Sequence, residues 1–320
     1  MDHIGIGLHG AFRRADAVAT FGAYRVRRAQ EFGEWSTPWS GVLIETARAA
    51  DPLTIAPAAV QLGGSDVVLA GPTAAALHGC TAVPVTPVHM MAPYGHWLRR
   101  RPGLVVHNGP LPDDDRLQLH GLPVLGLERT LTDVLCTSTP PDALAVADEV
   151  LAMIDPAVRE RFRAEVASRL RRRRDPRGAR RGARLLEVAT GLAESPAESW
   201  LLWRIVDSGF PTPEVNWRLR GPDGREIRRL DLAWPELRIV VEYNGYTFHV
   251  DRTVEDDARA EDLRRRGWIV ITLWADDLKD PAPFERALDD AFRARGVDTS
   301  RREVGMLRGR RHRDGYLRGA

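Results

Sequence analysis

The segment at residues 230–245 runs LDLAWPELRIVVEYNG. An apolar run ends in a Pro-Glu turn, and a nearly continuous β-branched run follows and closes on charged and polar residues. Such runs are typical of buried strands, and the short connection between them predicts a hairpin. We therefore expect Asp231 and Glu242 to lie on adjacent strands.

The flanking sequence predicts the rest of a domain at residues 195–296. A helix begins at Ser195-Pro196, and a Gly-Pro-Asp-Gly turn at 221–224 separates two extended runs, which predicts another hairpin. Later segments predict a helix at 253–266, a strand at 268–274 and a helix at 284–295. The expected order is α-β-β-β-α-β-α.

Two carboxylates on neighbouring buried strands repel each other unless a cation or a proton lies between them. A hard divalent cation with oxygen ligands satisfies this requirement, so Mg²⁺ or Mn²⁺ is the expected cofactor. His249 follows Glu242 by seven residues, beyond the strand end, where it is a candidate for proton transfer. Asp231, Glu242 and His249 are thus candidate catalytic residues, with the two acids as metal ligands.

Glu198 permits two interpretations. Ser195 as N-cap, Pro196 as the first helical residue and Glu198 as the third make a capping box, which is a purely structural arrangement. Alternatively, Glu198 is a third acid of the metal site.

Several of these residues carry a family resemblance over the final third of the chain. The residues are the 231–235 and 240–245 stretches, His249, Asp256, Arg259, Leu263 and the 267–270 stretch. Together they resemble the DUF559 family, which is similar to the very short patch repair endonucleases of the PD-(D/E)XK superfamily. The resemblance implies a restriction-endonuclease-like domain.

The same resemblance implies a role for each candidate residue. Asp231 becomes the central metal-binding acid, Glu242 the acid of the (D/E)XK element, Glu198 the acid of the preceding helix and His249 the histidine of the mismatch-repair branch. Two positions depart from the family: Leu230 replaces its proline and Asn244 its lysine. An amide offers no full positive charge to a phosphate, so a catalytically inactive domain is the alternative.

Residues 1–50 predict a winged-helix-like DNA-binding module. Short helices at 13–20 and 24–32 flank a turn at 21–22, and an extended piece follows at 39–44. Arg25, Arg27 and Arg28 lie where a recognition helix would present cations to DNA. Surface arginines on helices that never touch DNA are the alternative.

Residues 51–155 predict a small α+β domain. Its elements are a strand at 66–70, a helix at 74–79, extended segments at 85–92, 104–107 and 122–125, and helices at 127–135 and 142–153. With the two N-terminal helices, the motifs at 71–79 and 128–133 resemble proteins with an AbiEi-type antitoxin-like region. This resemblance implies a winged-helix DNA-binding element with a transcriptional role.

A basic helix and linker is predicted at residues 156–194, and a basic flexible tail at 297–320. Between residues 159 and 184 there are twelve arginines and three acids. Arg171, Arg172, Arg173 and Arg174 suit contacts with phosphates, and a solvated helix and linker is the alternative.

The lysine content and the hydropathy pattern exclude some classes of function. The net charge is +2 and Lys279 is the only lysine, which excludes motifs with a catalytic lysine elsewhere. No apolar stretch approaches the ~20 residues that span a bilayer, and no secretory pattern opens the chain, so we expect a cytoplasmic protein without membrane contact.

Two functions agree with the sequence. The first is a metal-dependent DNA endonuclease that hydrolyses phosphodiester bonds, in DNA repair or in phage or toxin–antitoxin defence. The second is a non-catalytic DNA-binding regulator or antitoxin with an inactive nuclease-like domain. The expected partners are DNA and a toxin protein.

Overall fold

The computed structural model describes residues 7–84, 86–245 and 250–307, with the backbone alone at 250–257. Its contacts divide the chain into two compact units. Unit 1 comprises residues 1–138 and 156–174, and unit 2 comprises residues 139–155 and 175–320. Helices and three sheets occur together, so the predicted α+β class is confirmed.

Unit 1 begins with a small helix-and-sheet module. Its elements are β1 (Ala11–Arg13), α1 (Arg14–Glu31), β2 (Trp35–Trp39) and β3 (Val42–Glu45), and its sheet order is β1-β3-β2. Gly22, at φ 80 and ψ 153, kinks α1 into the two helices that the sequence predicts, because glycine tolerates positive φ. The hairpin after α1 begins at Trp35, four residues before the predicted extended piece.

The rest of unit 1 is built on a five-stranded mixed sheet of order β6-β5-β4-β8-β7. The elements are α2 (Pro52–Gly63), β4 (Val68–Leu69), α3 (Gly71–Leu77), β5 (Val88–Ala92), β6 (Leu104–Asn108), β7 (Arg116–Leu119), β8 (Leu122–Leu125), α4 (Leu127–Thr137) and α6 (Pro156–Arg171). The predicted strands and the helices predicted at 74–79 and 127–135 are present, with α2 and β7 as additions, whereas the helix predicted at 142–153 belongs to unit 2. Val85, the first residue of one predicted extended segment, lies outside the described residues.

A buried ionic network joins α4 to the end of α6 within unit 1. Arg129 donates to Asp115 and Asp133 at 2.9 Å each, and Arg169 donates to Asp115 at 2.7 Å. Arg173 donates to Asp133. Asp115 and Asp133 are both only 5% exposed, so these arginines neutralise carboxylates that could not otherwise be buried.

Unit 2 contains a four-stranded sheet of order β12-β11-β10-β9, in which β9, β10 and β11 are antiparallel and β11 and β12 are parallel. Its elements are α5 (Pro140–Met153), α7 (Ala179–Val188), α8 (Pro196–Asp207), β9 (Glu214–Arg220), β10 (Glu226–Trp234), β11 (Ile239–Asn244), α9 (Val250–Arg265), β12 (Ile269–Trp274) and α10 (Ala282–Ala294). From α8 onward, this is the predicted α-β-β-β-α-β-α order.

Two predicted segments differ in the structure. The basic segment 156–194 is divided, since residues 156–174 belong to unit 1 and the remainder, with α7, to unit 2. The tail is packed as far as residue 307: Leu307 is 2% exposed, and its N–H donates to Asp207 at 3.0 Å. A Cβ on Gly209 would lie 2.4 Å from the Glu303 carbonyl, so the tail approaches this turn closely. Residues 308–320 lie outside the described residues.

Asp148 of α5 fixes the chain before α8. Its Oδ1 accepts from the Thr190 and Gly191 N–H groups at 2.7 and 2.8 Å, and its Oδ2 accepts from Ser199 Oγ at 2.7 Å. Asp148 is 1% exposed. One buried carboxylate therefore satisfies donors from the α7–α8 connection and from α8 itself.

We predict that Asp148→Ala destabilises unit 2 by about 3 kcal/mol, because it leaves three buried donors without an acceptor. Urea denaturation followed by circular dichroism measures the change. Asp290→Ala is the control, since that side chain is 73% exposed and its ion pair contributes little. Equal effects of the two substitutions would contradict this role of Asp148.

Candidate functional site

Asp231 and Glu242 lie on adjacent antiparallel strands, as the sequence predicts. The register of β10 and β11 pairs Leu232 with Val241, and its continuation by one residue places Asp231 opposite Glu242. Side chains directly opposite in such a pair have Cβ atoms about 4.5–5.5 Å apart. The hairpin therefore brings the two carboxyl groups together.

Each carboxyl group of this acid pair has a defined donor. Asp231 Oδ2 accepts from the Tyr243 N–H at 2.8 Å. Glu242 Oε2 accepts from Arg228 Nη2 at 3.2 Å, in an ion pair whose Glu242 side chain is 17% exposed. Glu242 Oε1 is buried and has no hydrogen-bond partner among the residues that the structure describes. An unpaired buried carboxylate oxygen is unfavourable, so this atom is open to a proton or a cation.

Burial and mutual repulsion make both acids hold protons more tightly than usual. Burial raises the pKa of Asp231 to about 6, and the charge of Glu198 adds to the increase. The pKa of Glu242 is raised to about 7. Burial is the largest cause, the charge of Asp231 acts in the same direction, and the charge of Arg228 opposes both. At neutral pH the pair therefore favours fewer than two negative charges unless a cation is bound.

Glu198 takes part in the cap at the start of α8, but only half of the predicted capping box forms, because its carboxylate accepts from the Ser195 hydroxyl and the Glu194 N–H and not from the Ser195 N–H. Its N–H donates to Ser195 Oγ at 3.3 Å, and its Oε1 accepts from that hydroxyl at 2.9 Å. Its Oε2 accepts from the Glu194 N–H at 2.8 Å and from Asn216 Nδ2 at 3.0 Å. Both carboxylate oxygens are thus engaged in local structure, which agrees with the structural interpretation.

Asn216 is a site residue that the sequence analysis missed. It lies on β9, and the pairs Leu230–Trp217 and Leu232–Val215 place it opposite Asp231. Its backbone has a φ of 51, which asparagine tolerates better than most residues, and its side chain joins Glu198 to the Leu192 carbonyl at 2.6 Å. Only the strand register reveals this position.

Two arginines supply positive charge to the acid pair. Arg228 contacts Glu242 directly, and the charge of Arg259, on α9, lowers the pKa of Glu242. Asn244, which replaces the lysine of the resembled family, lies on β11 opposite Trp274 of β12. His249 and the side chain of Asp256 lie outside the described residues, so their roles stay predictions.

The fit to a metal ion is limited to the two strand carboxylates. Among the described residues, no group of three or more His, Cys, Asp or Glu side chains has an arrangement that could hold a metal ion. The orphaned Oε1 of Glu242 suits a cation, whereas Glu198 is occupied as a helix cap. The donor set therefore fits a cation held by Asp231 and Glu242 and completed by water.

The predicted DNA-contacting arginines of α1 differ in their ion-pair distances and in their exposure to solvent. Arg25 pairs with Glu34 at 2.6 Å, whereas Arg27 and Arg28 pair with Glu31 at 3.7 and 3.5 Å. The three side chains remain 47%, 64% and 43% exposed.

Each of these guanidinium groups also lies over an aromatic ring, those of Trp35, Tyr24 and Phe32 respectively. Tyr24 and Phe32 are themselves 68% and 63% exposed. The second half of α1 therefore presents both cations and aromatic rings to solvent.

The arginine run 171–174 is not uniform. Arg171, Arg172 and Arg174 are exposed. The side chain of Arg173 is 19% exposed and forms an ion pair with the buried Asp133, so it is less available than its neighbours, and its role in phosphate binding stays a prediction. The sequence could not distinguish the four arginines, because the position of Asp133 relative to α6 is set by the fold.

Comparison with known proteins shows a similarity over a segment that includes parts of both units. A family model of the AbiEi antitoxin C-terminal domain matches residues 67–188. This span includes the motifs at 71–79 and 128–133, so the resemblance predicted for this region is confirmed. The helix-and-hairpin module at residues 11–45 precedes the matched span.

Two relatives extend the comparison beyond this domain. They are the Mycobacterium tuberculosis proteins named Uncharacterized protein MT2308 and Uncharacterized protein Rv2248. Each is 32% identical to the chain over 223 residues, which cover 69% of this chain and 78% of the relative. The chain belongs to the family of these two proteins. Among its described helices, none combines the length and apolar character required to cross a membrane.

We predict that replacing the acid pair by amides, as Asp231→Asn with Glu242→Gln, stabilises the protein at pH 8. Both carboxyl groups have a higher pKa in the folded chain, so their favourable contribution is present below about pH 4 and is lost as the pH rises through about 6 to 7. The expected gain at pH 8 is on the order of 2 kcal/mol, with little gain at pH 4.

Thermal unfolding at the two pH values, with a chelator present, measures this difference. The exposed Asp276, whose pKa is lowered by its hydrogen bond to Lys279, provides the control variant Asp276→Asn, which should give no gain at pH 8. A double variant less stable than wild type at pH 8 would show that the carboxylates are not strained by burial.

Proposed function

We propose that this protein is a DNA-binding antitoxin-type regulator. The observation that carries the proposal is the AbiEi antitoxin C-terminal domain at residues 67–188, which follows a helix-turn-helix and hairpin module. Antitoxins act on a toxin partner, and the module before the domain has the element order of a winged helix. The expected partners are therefore DNA and a toxin protein.

The second half of α1 is the proposed DNA-contacting element. Arg25, Arg27 and Arg28 are paired with glutamates, but exposed ion pairs contribute only about 0–1 kcal/mol. Phosphates can displace the glutamates at low cost, and the exposed arginines need no change of backbone to reach them. Arg171, Arg172 and Arg174 add sequence-independent attraction.

We predict that DNA affinity falls steeply with salt, with a log–log slope of about −0.9 for each phosphate contact. Arg27→Gln and Arg28→Gln should each reduce the magnitude of that slope by about 1. Fluorescence anisotropy with labelled duplex DNA measures the slopes. The salt concentration is varied between about 50 and 200 mM, where affinity that depends on phosphate contacts changes most. Arg293→Gln is the control, because Arg293 is an exposed, ion-paired arginine of unit 2.

A salt-independent affinity, or no duplex binding at low salt, would contradict the DNA-binding proposal. The toxin partner is tested by co-expression with the product of the neighbouring gene. Growth inhibition by that product alone, relieved by this protein, is the expected result. If growth is still restored when residues 67–188 are deleted, the antitoxin activity would be assigned to another region of the protein.

Magnesium-dependent phosphodiester hydrolysis is the second candidate function. The observation that favours it is the acid pair, with raised pKa values and a buried Glu242 Oε1 that accepts no hydrogen bond from the described part of the chain. Asp231 and Glu242 would hold Mg²⁺ or Mn²⁺, which when bound supplies a Lewis acid and an activated water. Arg228 orients the Glu242 carboxylate, and His249 is proposed to move a proton. Asn244 supplies no cation at the position of the family's lysine, so the DUF559-like domain is also compatible with a non-catalytic role.

We predict that, if the protein cleaves DNA, Asp231→Asn abolishes metal-supported turnover while the fold is retained, because the amide keeps the shape and loses the charge. The assay uses plasmid, single-stranded and mismatched DNA with Mg²⁺ and with Mn²⁺. Asn244→Lys restores the family's cation and should increase turnover. Inert wild type and inert Asn244→Lys would eliminate this second candidate and leave the DNA-binding proposal intact.

Glu198→Gln is a less direct probe of catalysis. Both carboxylate oxygens of Glu198 accept hydrogen bonds, and an amide nitrogen cannot accept. The substitution therefore weakens the α8 cap as well as any contribution to metal binding. Activity must be compared with the unfolding free energy of the same variant.

A further inference from the structure

A cleft of about 480 Å³ lies in unit 2 at the end of the sheet where β11 and β12 begin. It is lined by two tryptophans, two arginines, one acid and two apolar residues: Trp217, Trp268, Arg238, Arg266, Glu236, Leu219 and Pro235. None of these residues belongs to the acid pair. The cleft thus combines aromatic and cationic groups that neither proposed function uses.

The aromatic wall of the cleft is rigid. The ring centroids of Trp217 and Trp268 are 5.6 Å apart, at an interplanar angle of 43°. Trp268 is 7% exposed and belongs to a core cluster with Leu230, Val240 and Leu263, and the half-buried Trp217 packs against it. A flat ligand can therefore stack on Trp217 without reorganisation of the protein, which lowers the entropic cost of binding.

The cationic groups are held at a tight turn before β12. Arg266 Nε donates to Asp262 Oδ2 at 2.8 Å, and Arg295 Nη2 donates to the Gly267 carbonyl at 2.6 Å. Arg238 Nη1 would lie 3.2 Å from a Cβ at Gly267, whose φ is 84. Arg238 Nη1 also donates to the Arg266 carbonyl at 3.4 Å, so the guanidinium groups of Arg238 and Arg295 both lie at this turn. Arg266 shares its charge with Asp262, and the three arginines together leave an excess of positive charge that favours an anionic ligand.

These groups match one class of ligand. A nucleobase stacks on an indole face, and its neighbouring phosphate pairs with arginine. A cationic ligand in an aromatic site is disfavoured by Arg238 and Arg266, and a purely apolar ligand would leave both guanidinium groups unused. Bases within a duplex are inaccessible to such a site, so the base must be unpaired.

The cleft also lies at a useful distance from the acid pair. Arg259, whose charge acts on Glu242, lies within α9, and Arg266 directly follows the last residue of that helix, Arg265. Seven residues of helix separate these arginines, a rise of about 10 Å. One DNA strand could therefore occupy the cleft and continue towards the acids.

We propose that this cleft binds an unpaired nucleobase and its phosphate in a DNA single strand. The inference deepens the proposed DNA contact, but it requires neither metal binding nor cleavage. It assigns unit 2 a preference for single-stranded or distorted DNA that is separate from duplex binding by α1.

The test compares two single-stranded oligomers of equal length in the full chain, with a chelator present. One is oligodeoxythymidylate, and the other has the same phosphates on abasic sugars. We expect wild type to bind the thymidylate at least about fivefold more tightly, which corresponds to the weaker end of base–aromatic stacking. Trp217→Leu should remove this preference and leave abasic binding unchanged.

Arg266→Gln should lower the affinity for both oligomers by the same factor. Arg293→Gln, outside the cleft, should lower the affinity for neither oligomer selectively. An oligomer with 5-iodouracil should crosslink wild type at Trp217 on irradiation, as mapped by mass spectrometry. This measurement requires no variant to fold.

Equal wild-type affinity for the two oligomers, an unchanged preference in a folded Trp217→Leu variant, or crosslinks only outside the cleft would overturn the proposal. Free thymidine monophosphate that competes as well as the oligomer does, at an equal concentration of phosphate, would overturn the assignment to a strand. Duplex affinity is measured in parallel, so that failure of the cleft is distinguishable from failure of the proposed DNA binding by α1.

Discussion

The burial of two carboxyl groups on paired strands is the constraint on which the site in unit 2 depends. The antiparallel register of β10 and β11 places Asp231 opposite Glu242, between apolar residues that favour a dry environment. The same packing that forms the sheet leaves both acids only half-exposed to water. Their charge must then be compensated locally, and Arg228, the Tyr243 N–H and the charge of Arg259 do so only in part.

The compensation extends from the strands into the preceding helix. Asn216, opposite Asp231 on β9, donates to Glu198, and Glu198 in turn caps α8. The negative charge of Glu198 raises the pKa of Asp231, so a residue with a structural function also affects the electrostatics of the acid pair. Structural and chemical roles therefore coexist in one side chain, and a change in one cannot be made without a change in the other.

Unit 1 uses arginine in two physically different ways. Arg129, Arg169 and Arg173 neutralise the buried carboxylates Asp115 and Asp133 and hold α6 against α4. The arginines of α1 remain exposed, in weak pairs that a polyanion can displace. The arginines of unit 1 thus form buried ion pairs in one part of the unit and an exposed cationic surface on α1 in another.

The sequence alone determined the order of elements from α8 onward in unit 2 and most of the elements of unit 1, although not α2 and β7, because hydrophobic period and turn residues are local properties. It also determined Ser195 as the N-cap of α8, since that cap joins residues within one turn, and the hairpin that brings Asp231 and Glu242 to adjacent strands. The AbiEi-type resemblance depended on short contiguous motifs, which can be recognised directly in the sequence. Asn244, as a departure from the DUF559 pattern, was equally visible.

Only the tertiary structure decided which arginines are buried, since the pairing of Arg173 with Asp133 joins residues forty positions apart. It also decided the position of Asn216, which depends on strand register, and the packing of residues 297–307 against Gly209. The cleft between Trp217 and Arg266 likewise combines segments that are separated in sequence. Local patterns fix what each segment becomes, but long-range packing fixes which charges meet, and those encounters determine the chemistry of the site.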